Sequence, residues 1–294
     1  MTKPRPPWRR ISLGATALIV FAYAVFVLTR RGQQFDNNAK LFASLHHYSV
    51  GLKRYHSVLA WRRASSYAAR AFGIALLAAI ATWGRTKIRS IAWPMSVVVL
   101  LPVLVSEITK RVLPRPHLSS LPSWIGGPTF PSGHTTFAAS TALVMTILAP
   151  HRSRQLVCAM GAAGTLAMML LVVADARHRP SDAMAGPLVA LLSTSFLVRR
   201  WNRSPRGNPE ASPINKSLTR SIGSINRHRV LIGAAVTSAI AGLVVVATTR
   251  EPSGFPNLAS ANRALFGTVL LVFTLSVYFY RWALALAEQY ALAP

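Results

Sequence analysis

The feature that most constrains this chain is a succession of apolar stretches about as long as a bilayer is thick. They fall near 12–29, 65–83, 90–108, 133–150, 155–174, 182–198, 230–248 and 264–284, each bounded by Arg, Lys, Pro or a polar cluster. A helix rises about 1.5 Å per residue, so roughly 20 apolar residues cross the hydrocarbon layer. Within that layer backbone polar groups must be satisfied inside the segment, which for stretches of this length means helices. The sequence therefore predicts an all-α polytopic membrane helix bundle with about eight transmembrane helices.

Composition excludes the main competing class. Thirty-three Lys and Arg against seven Asp and Glu give a net charge of +26 on 294 residues, which alone would suit nucleic acid. A chain that is 52% hydrophobic, with a mean hydropathy of +0.36, does not fit a soluble nucleic-acid binder, and at 14% charged residues it does not fit disorder. The partner expected for this charge is the membrane, with no nucleic acid. Cys158 is the single cysteine, so no intrachain disulfide can form.

Basic residues near span ends resist translocation. They gather in 1–11, in the turn with Arg85, Lys87 and Arg89, in the turn with Arg152 and Arg154, and in 199–229, which holds Arg199, Arg200, Arg203, Arg206, Lys216, Arg220, Arg227 and Arg229. This predicts cytoplasmic N- and C-termini in the plasma membrane, although the basic segment 30–64 opposes it. The first stretch ends at Arg30-Arg31 without a small-residue cleavage site and reads as a retained helix. Segment 199–229, rich in Pro, Gly, Ser and Asn, reads as a basic flexible cytoplasmic linker between a six-span core, 1–198, and a two-span C-terminal hairpin, 230–294. Segment 35–56 reads either as an interfacial helix or as a packed loop. Arg70, inside the second stretch, is assigned a structural role.

Two loops concentrate the polar chemistry. The first runs from Glu107 through Lys110, Arg111, Pro114, Arg115 and Pro116 to Pro131-Ser132-Gly133-His134; the second runs from Asp175 through Arg177, His178, Arg179, Pro180 and Ser181 to Asp182. Two spans separate them, so they share one membrane face. Ser132 and Gly133 open an apolar helix whose unpaired first-turn N–H groups favour phosphate. Asp182 stands four residues after His178, a spacing that can bring its carboxylate to one imidazole nitrogen and leave the other to attack.

In order and spacing, Lys-x4-Arg-Pro, then Pro-Ser-Gly-His, then His-x3-Asp-x3-Gly (His178 to Gly186) resembles the type 2 phosphatidic acid phosphatase superfamily, over about residues 10–198. That resemblance implies a six-helix core, an extracytoplasmic site, and catalysis without metal or other cofactor through a phosphohistidine. It implies His178 as nucleophile, Asp182 as its orienting group, and His134 as the acid that protonates the leaving alcohol and later activates water. Lys110, Arg115, Ser132 and the Gly133 N–H would hold the phosphoryl oxygens.

Two departures alter the pattern. Arg115-Pro116 comes two positions early relative to Lys110, so either Arg115 reaches the phosphate along a tighter loop or His117 takes that place. The arginine that normally stands six residues before the nucleophile is absent, Leu171 and Val172 occupying the Ser-Arg positions. Arg177, Arg179 or, less favoured, Arg111 are the candidate substitutes. The expectation is a membrane lipid phosphatase acting on a phosphate monoester or diphosphate of a lipid, of polyprenyl diphosphate or phosphatidic-acid type. The alternatives are a degenerate member that binds a phospholipid or membrane partner without turnover, and a transporter. The terminal hairpin leaves homo-oligomer formation open.

Overall fold

The structure is a computed structural model that describes residues 7–49, 89–118, 129–150, 152–201, 240 and 258–291. The stretch 65–83 with Arg70, most of 199–229 and, Ile240 aside, the stretch 230–248 lie outside the described residues, as do His56, His151 and His228. Among the described residues the architecture is all-helical: α1 Pro7–Ala22, continued by a wider π turn Tyr23–Val27, then α2 Arg30–Ser49, α3 Arg89–Val112, α4 Gly133–Leu148, α5 Arg154–Ala174, α6 Pro180–Trp201 and α7 Leu258–Ala291. Four helical segments, Trp8–Val27, Arg154–Ala174, Pro180–Arg200 and Asn262–Glu288, are long and apolar enough to cross a membrane, and Gly133–Leu148 is a shorter apolar helix. The expectation of a helical membrane bundle holds.

Large apolar side chains face outward, as a lipid-solvated surface requires. On α3 the exposed Leu100, Leu104, Ile108 and Val112 recur every four residues and form one row along the helix. Helix α6 is the opposite case, with Ala183, Ala185, Leu188, Ala190 and Leu191 all buried. It is the central helix, packed against α1, α3, α4, α5 and α7.

The two ends of the bundle are distinguishable. The Trp8 ring lies under the guanidinium groups of Arg9 and Arg199, 5.3 and 5.0 Å from the ring centroid, so the start of α1 and the end of α6 share one end. At the other end of α1, the Tyr23 hydroxyl donates to the Pro114 carbonyl and its ring lies 5.6 Å from that of Phe130. Both motif loops therefore sit at the end opposite the start of α1.

Segment 35–56 begins inside α2, and that helix is no surface element at its start. Gln33, Gln34, Asp36, Asn37 and Asn38 are buried, and Phe35 and Ala39 join Val172, Val173 and Ala183 in one apolar cluster. The sharp return from α1 into α2 depends on Gly32, where an added Cβ would stand 2.0 Å from the Val25 carbonyl oxygen. Helix α7 is likewise integrated. Its Ala264, Val272 and Leu275 pack with residues of α1, α2, α5 and α6, and its Phe279 and Ala283 pack with Ile11, Leu143 and Leu191.

Candidate functional site

The start of α4 and the start of α6 are locked together by backbone. The Ser132 N–H donates to the Asp182 carbonyl at 2.8 Å. Gly186 allows this approach: a Cβ there would lie 2.1 Å from Thr135 Oγ1, 2.7 Å from Thr136 N and 2.9 Å from Ser132 O. The third residue of the His-x3-Asp-x3-Gly pattern is thus a contact residue with no room for a side chain.

His134 and His178 meet over this junction, their ring centroids 5.7 Å apart in an edge-to-face arrangement. His178 is buried, and its Nδ1 faces Asp182 Oδ2 at 4.0 Å, too far for a hydrogen bond; Nδ1 has no hydrogen-bond partner. The Ser132 hydroxyl is also buried without a partner. Lys110 and Glu107 form an ion pair at 2.6 Å directly over the start of α4, where a Cβ on Gly133 would stand 2.7 Å from Glu107 Oε1 and 3.4 Å from Lys110 Nζ. Lys110, Ser132, Gly133, His134 and His178 are therefore brought together.

Arg115 takes a different position. Its side chain is 5% exposed and is held by two fully buried carboxylates, Asp36 Oδ2 at 3.0 Å and Asp182 Oδ1 at 3.3 Å. Asp36 also accepts from the Ser181 N–H at 3.1 Å and from the Ser181 hydroxyl. Asp182 Oδ2 accepts from the Thr129 hydroxyl and from the Arg179 N–H at 3.0 Å. Arg179 is fully buried, its Nε donating to Asn37 Oδ1 at 2.7 Å and its terminal nitrogen to Thr129 Oγ1 at 3.1 Å. These groups form a continuous buried polar network that ties α2 to both motif loops.

The remaining candidate cations lie apart from it. Arg177 is partly exposed and pairs with Asp175 at 3.5 Å, while Arg111 and His117 are exposed. Among the described residues no group of three or more His, Cys, Asp and Glu side chains is placed to hold a metal ion.

Burial sets the electrostatics. It lowers the His178 pKa to about 4; Asp182 opposes the shift, while His134, Lys110 and Lys40 add to it. Burial pushes the Asp36 carboxyl up, Arg115 countering and Asp182 reinforcing the shift. Burial therefore favours the neutral form of the His178 imidazole.

Residues 91–206 match the model of the family described as PAP2 superfamily. This stretch is similar to the PAP2 superfamily. The PAP2 match spans α3 to α6 and contains every residue of both motif loops, whereas α1, α2 and α7 lie outside it. Neither the search of curated proteins nor the search of solved structures gave a match. Outside the matched stretch, sequence reasoning missed Asp36 and Asn37. Their one sequence signal was an acid and amides on a segment that also carries Phe35 and Leu41, a mixture that suits a helix with a polar face turned inward.

Proposed function

We propose that this chain is an integral membrane lipid phosphatase that hydrolyses a phosphate monoester or diphosphate of a lipid through a phosphohistidine at the extracytoplasmic face. The observation that carries the reading is the convergence of a buried, neutral His178 with the unpaired Ser132 hydroxyl, the Lys110 ammonium and the start of α4. A helix start with a nearby cation favours a phosphoryl group.

In this reading the second nitrogen of His178, Nε2, attacks phosphorus while the bond to the lipid oxygen breaks, and His134 gives that oxygen its proton. His134 then takes a proton from water, the water oxygen attacks phosphorus, and the P–N bond breaks to release inorganic phosphate. Asp182 orients His178 and stabilises the charge that forms on the ring. The 4.0 Å separation from Nδ1 is expected to close then, since catalytic hydrogen bonds are often long in the unliganded state. The exposed row Leu100, Leu104, Ile108 and Val112 lies on the helix that also carries Lys110 and suits contact with lipid chains of the bilayer.

One observation favours the binding-only alternative: Arg115, expected on the phosphate, is engaged by Asp36 and Asp182. A single assay separates the two readings. Phosphate release by the full-length protein in detergent with chelator present, from polyprenyl diphosphate or phosphatidic acid, is expected to occur and to vanish in His178→Ala. A folded protein that releases no phosphate from either lipid would reject the phosphatase reading.

A further inference from the structure

The third motif lacks its arginine, and three of the neighbouring arginines already have partners in the structure. Val172, at the arginine's place, is buried in the apolar cluster with Phe35 and Ala39 of α2. Arg115 is committed to two carboxylates, Arg179 to Asn37, Thr129 and the interior, and Arg177 to Asp175. The wall from which the missing cation would have come is thus formed by α2.

One face of α2 is turned to the site. Gln33 bonds to the Pro116 carbonyl and accepts from the Leu118 N–H, Asp36 holds Arg115 and Ser181, and Asn37 holds Arg179. At about 100° per residue, positions 33, 36, 37 and 40 fall within an arc of about 100°. Position 40 is Lys40, in the middle of that arc and one turn beyond Asp36. We infer that Lys40 supplies the phosphate-binding charge that the third motif lacks, so that the phosphoryl group is held between Lys110 of α3 and Lys40 of α2.

Electrostatics support the placement. The Lys40 ammonium acts on His178, and Lys40 in turn feels Arg179, Asp182 and Arg115, as a group at the same site must. Lys40 is half-buried, and burial followed by Arg179 lowers its pKa. A lysine suits this position because its compact charge on a flexible stem can follow the phosphoryl group from ester to phosphohistidine. The helix that carries it lies outside the PAP2-matched stretch. The inference rests on the phosphatase reading for its substrate class, a lipid phosphate.

Calorimetric binding of inorganic phosphate to the full-length protein in detergent tests it without requiring turnover. Lys40→Met, which keeps most of the stem, is expected to weaken phosphate binding by about tenfold or more, the worth of one charge-assisted hydrogen bond. Lys40→Arg is expected to stay within about threefold of the wild type. Lys40→Cys should bind weakly and recover when 2-bromoethylamine restores an ammonium, because the native Cys158 is buried; this variant decides the matter if Lys40→Met does not fold. Unchanged affinity in Lys40→Met, failed recovery in alkylated Lys40→Cys, or a wild type that binds no phosphate overturns the inference. Lipid turnover that is indifferent to Lys40 would sink this inference alone. Lys40-dependent phosphate binding without any lipid turnover would sink the phosphatase reading and leave the Lys40 site standing.

Discussion

Gly186→Ala tests whether the junction of α4 and α6 sets the geometry of the site. The added Cβ would meet Thr135 Oγ1, which is itself hydrogen-bonded to the Ser132 carbonyl, and also Thr136 N at 2.7 Å and Ser132 O at 2.9 Å. Ordinary contact begins at 3.4 Å, so the two backbone atoms must retreat by 0.7 and 0.5 Å, the differences from 3.4 Å. Overpacking of this kind costs about 1–3 kcal/mol. The atoms that retreat belong to the turn that would face the phosphate, and a displacement approaching 1 Å can cost about a hundredfold in rate. Phosphate release from a lipid substrate is therefore expected to fall by about two orders of magnitude at a temperature where the variant is still folded. Gly164→Ala is the matched control, since a Cβ there meets nothing within 4 Å. Alanine is favoured over glycine inside a helix by up to about 1 kcal/mol, so the control should melt no lower than the wild type. Wild-type turnover in Gly186→Ala would refute the reasoning.

Asp36→Ala leaves Arg115 with one carboxylate and both Ser181 donors without an acceptor, and breaking a buried pair costs about 3–5 kcal/mol. Thermal melting in detergent should show a clear loss, smaller in Asp36→Asn, which keeps an acceptor for Ser181; an unchanged Asp36→Ala melt contradicts the network. The pH profile of kcat/KM reports the free enzyme, in which burial holds His178 near 4. The nucleophile is neutral above that value, so loss of activity through protonation of His178 should appear on the acid side only toward about 4; an acid-side half-maximal point near 6.5 that follows protonation of His178 would contradict a buried nucleophile. Because the folded pKa lies below the ordinary 6.5, the unfolded chain binds the extra proton between the two values, and stability should decrease as pH falls across that window.

The parts of the fold legible in the sequence are those set by local rules. The apolar stretches 155–174 and 182–198 correspond to α5, Arg154–Ala174, and α6, Pro180–Trp201, and the helix expected to open at Ser132-Gly133 begins at Gly133. Hydrophobic length and proline-led helix starts are readable within a short window. The role of α2 was not, because Asp36, Asn37 and Gln33 look like solvent-facing residues until their partners are known, and those partners stand 79 to 145 positions away along the chain. Arg115 illustrates the same limit. Its place in the motif pointed to phosphate, but a buried guanidinium beside two buried carboxylates pairs with them first. The His178–Asp182 spacing brought the two groups to one site, while Thr129 and Arg115, invisible to any local rule, took up the carboxylate oxygens.

The most direct test of the account is to look for the covalent intermediate. Full-length protein given a lipid carrying a radiolabelled phosphoryl group, quenched in alkali and digested, should yield label on one peptide, at His178, and none in His178→Ala. The bond is expected to survive alkali and to be lost in acid, as a phosphorus–nitrogen bond should be. Steady turnover with no label on His178, or label at another residue, would contradict the phosphohistidine mechanism.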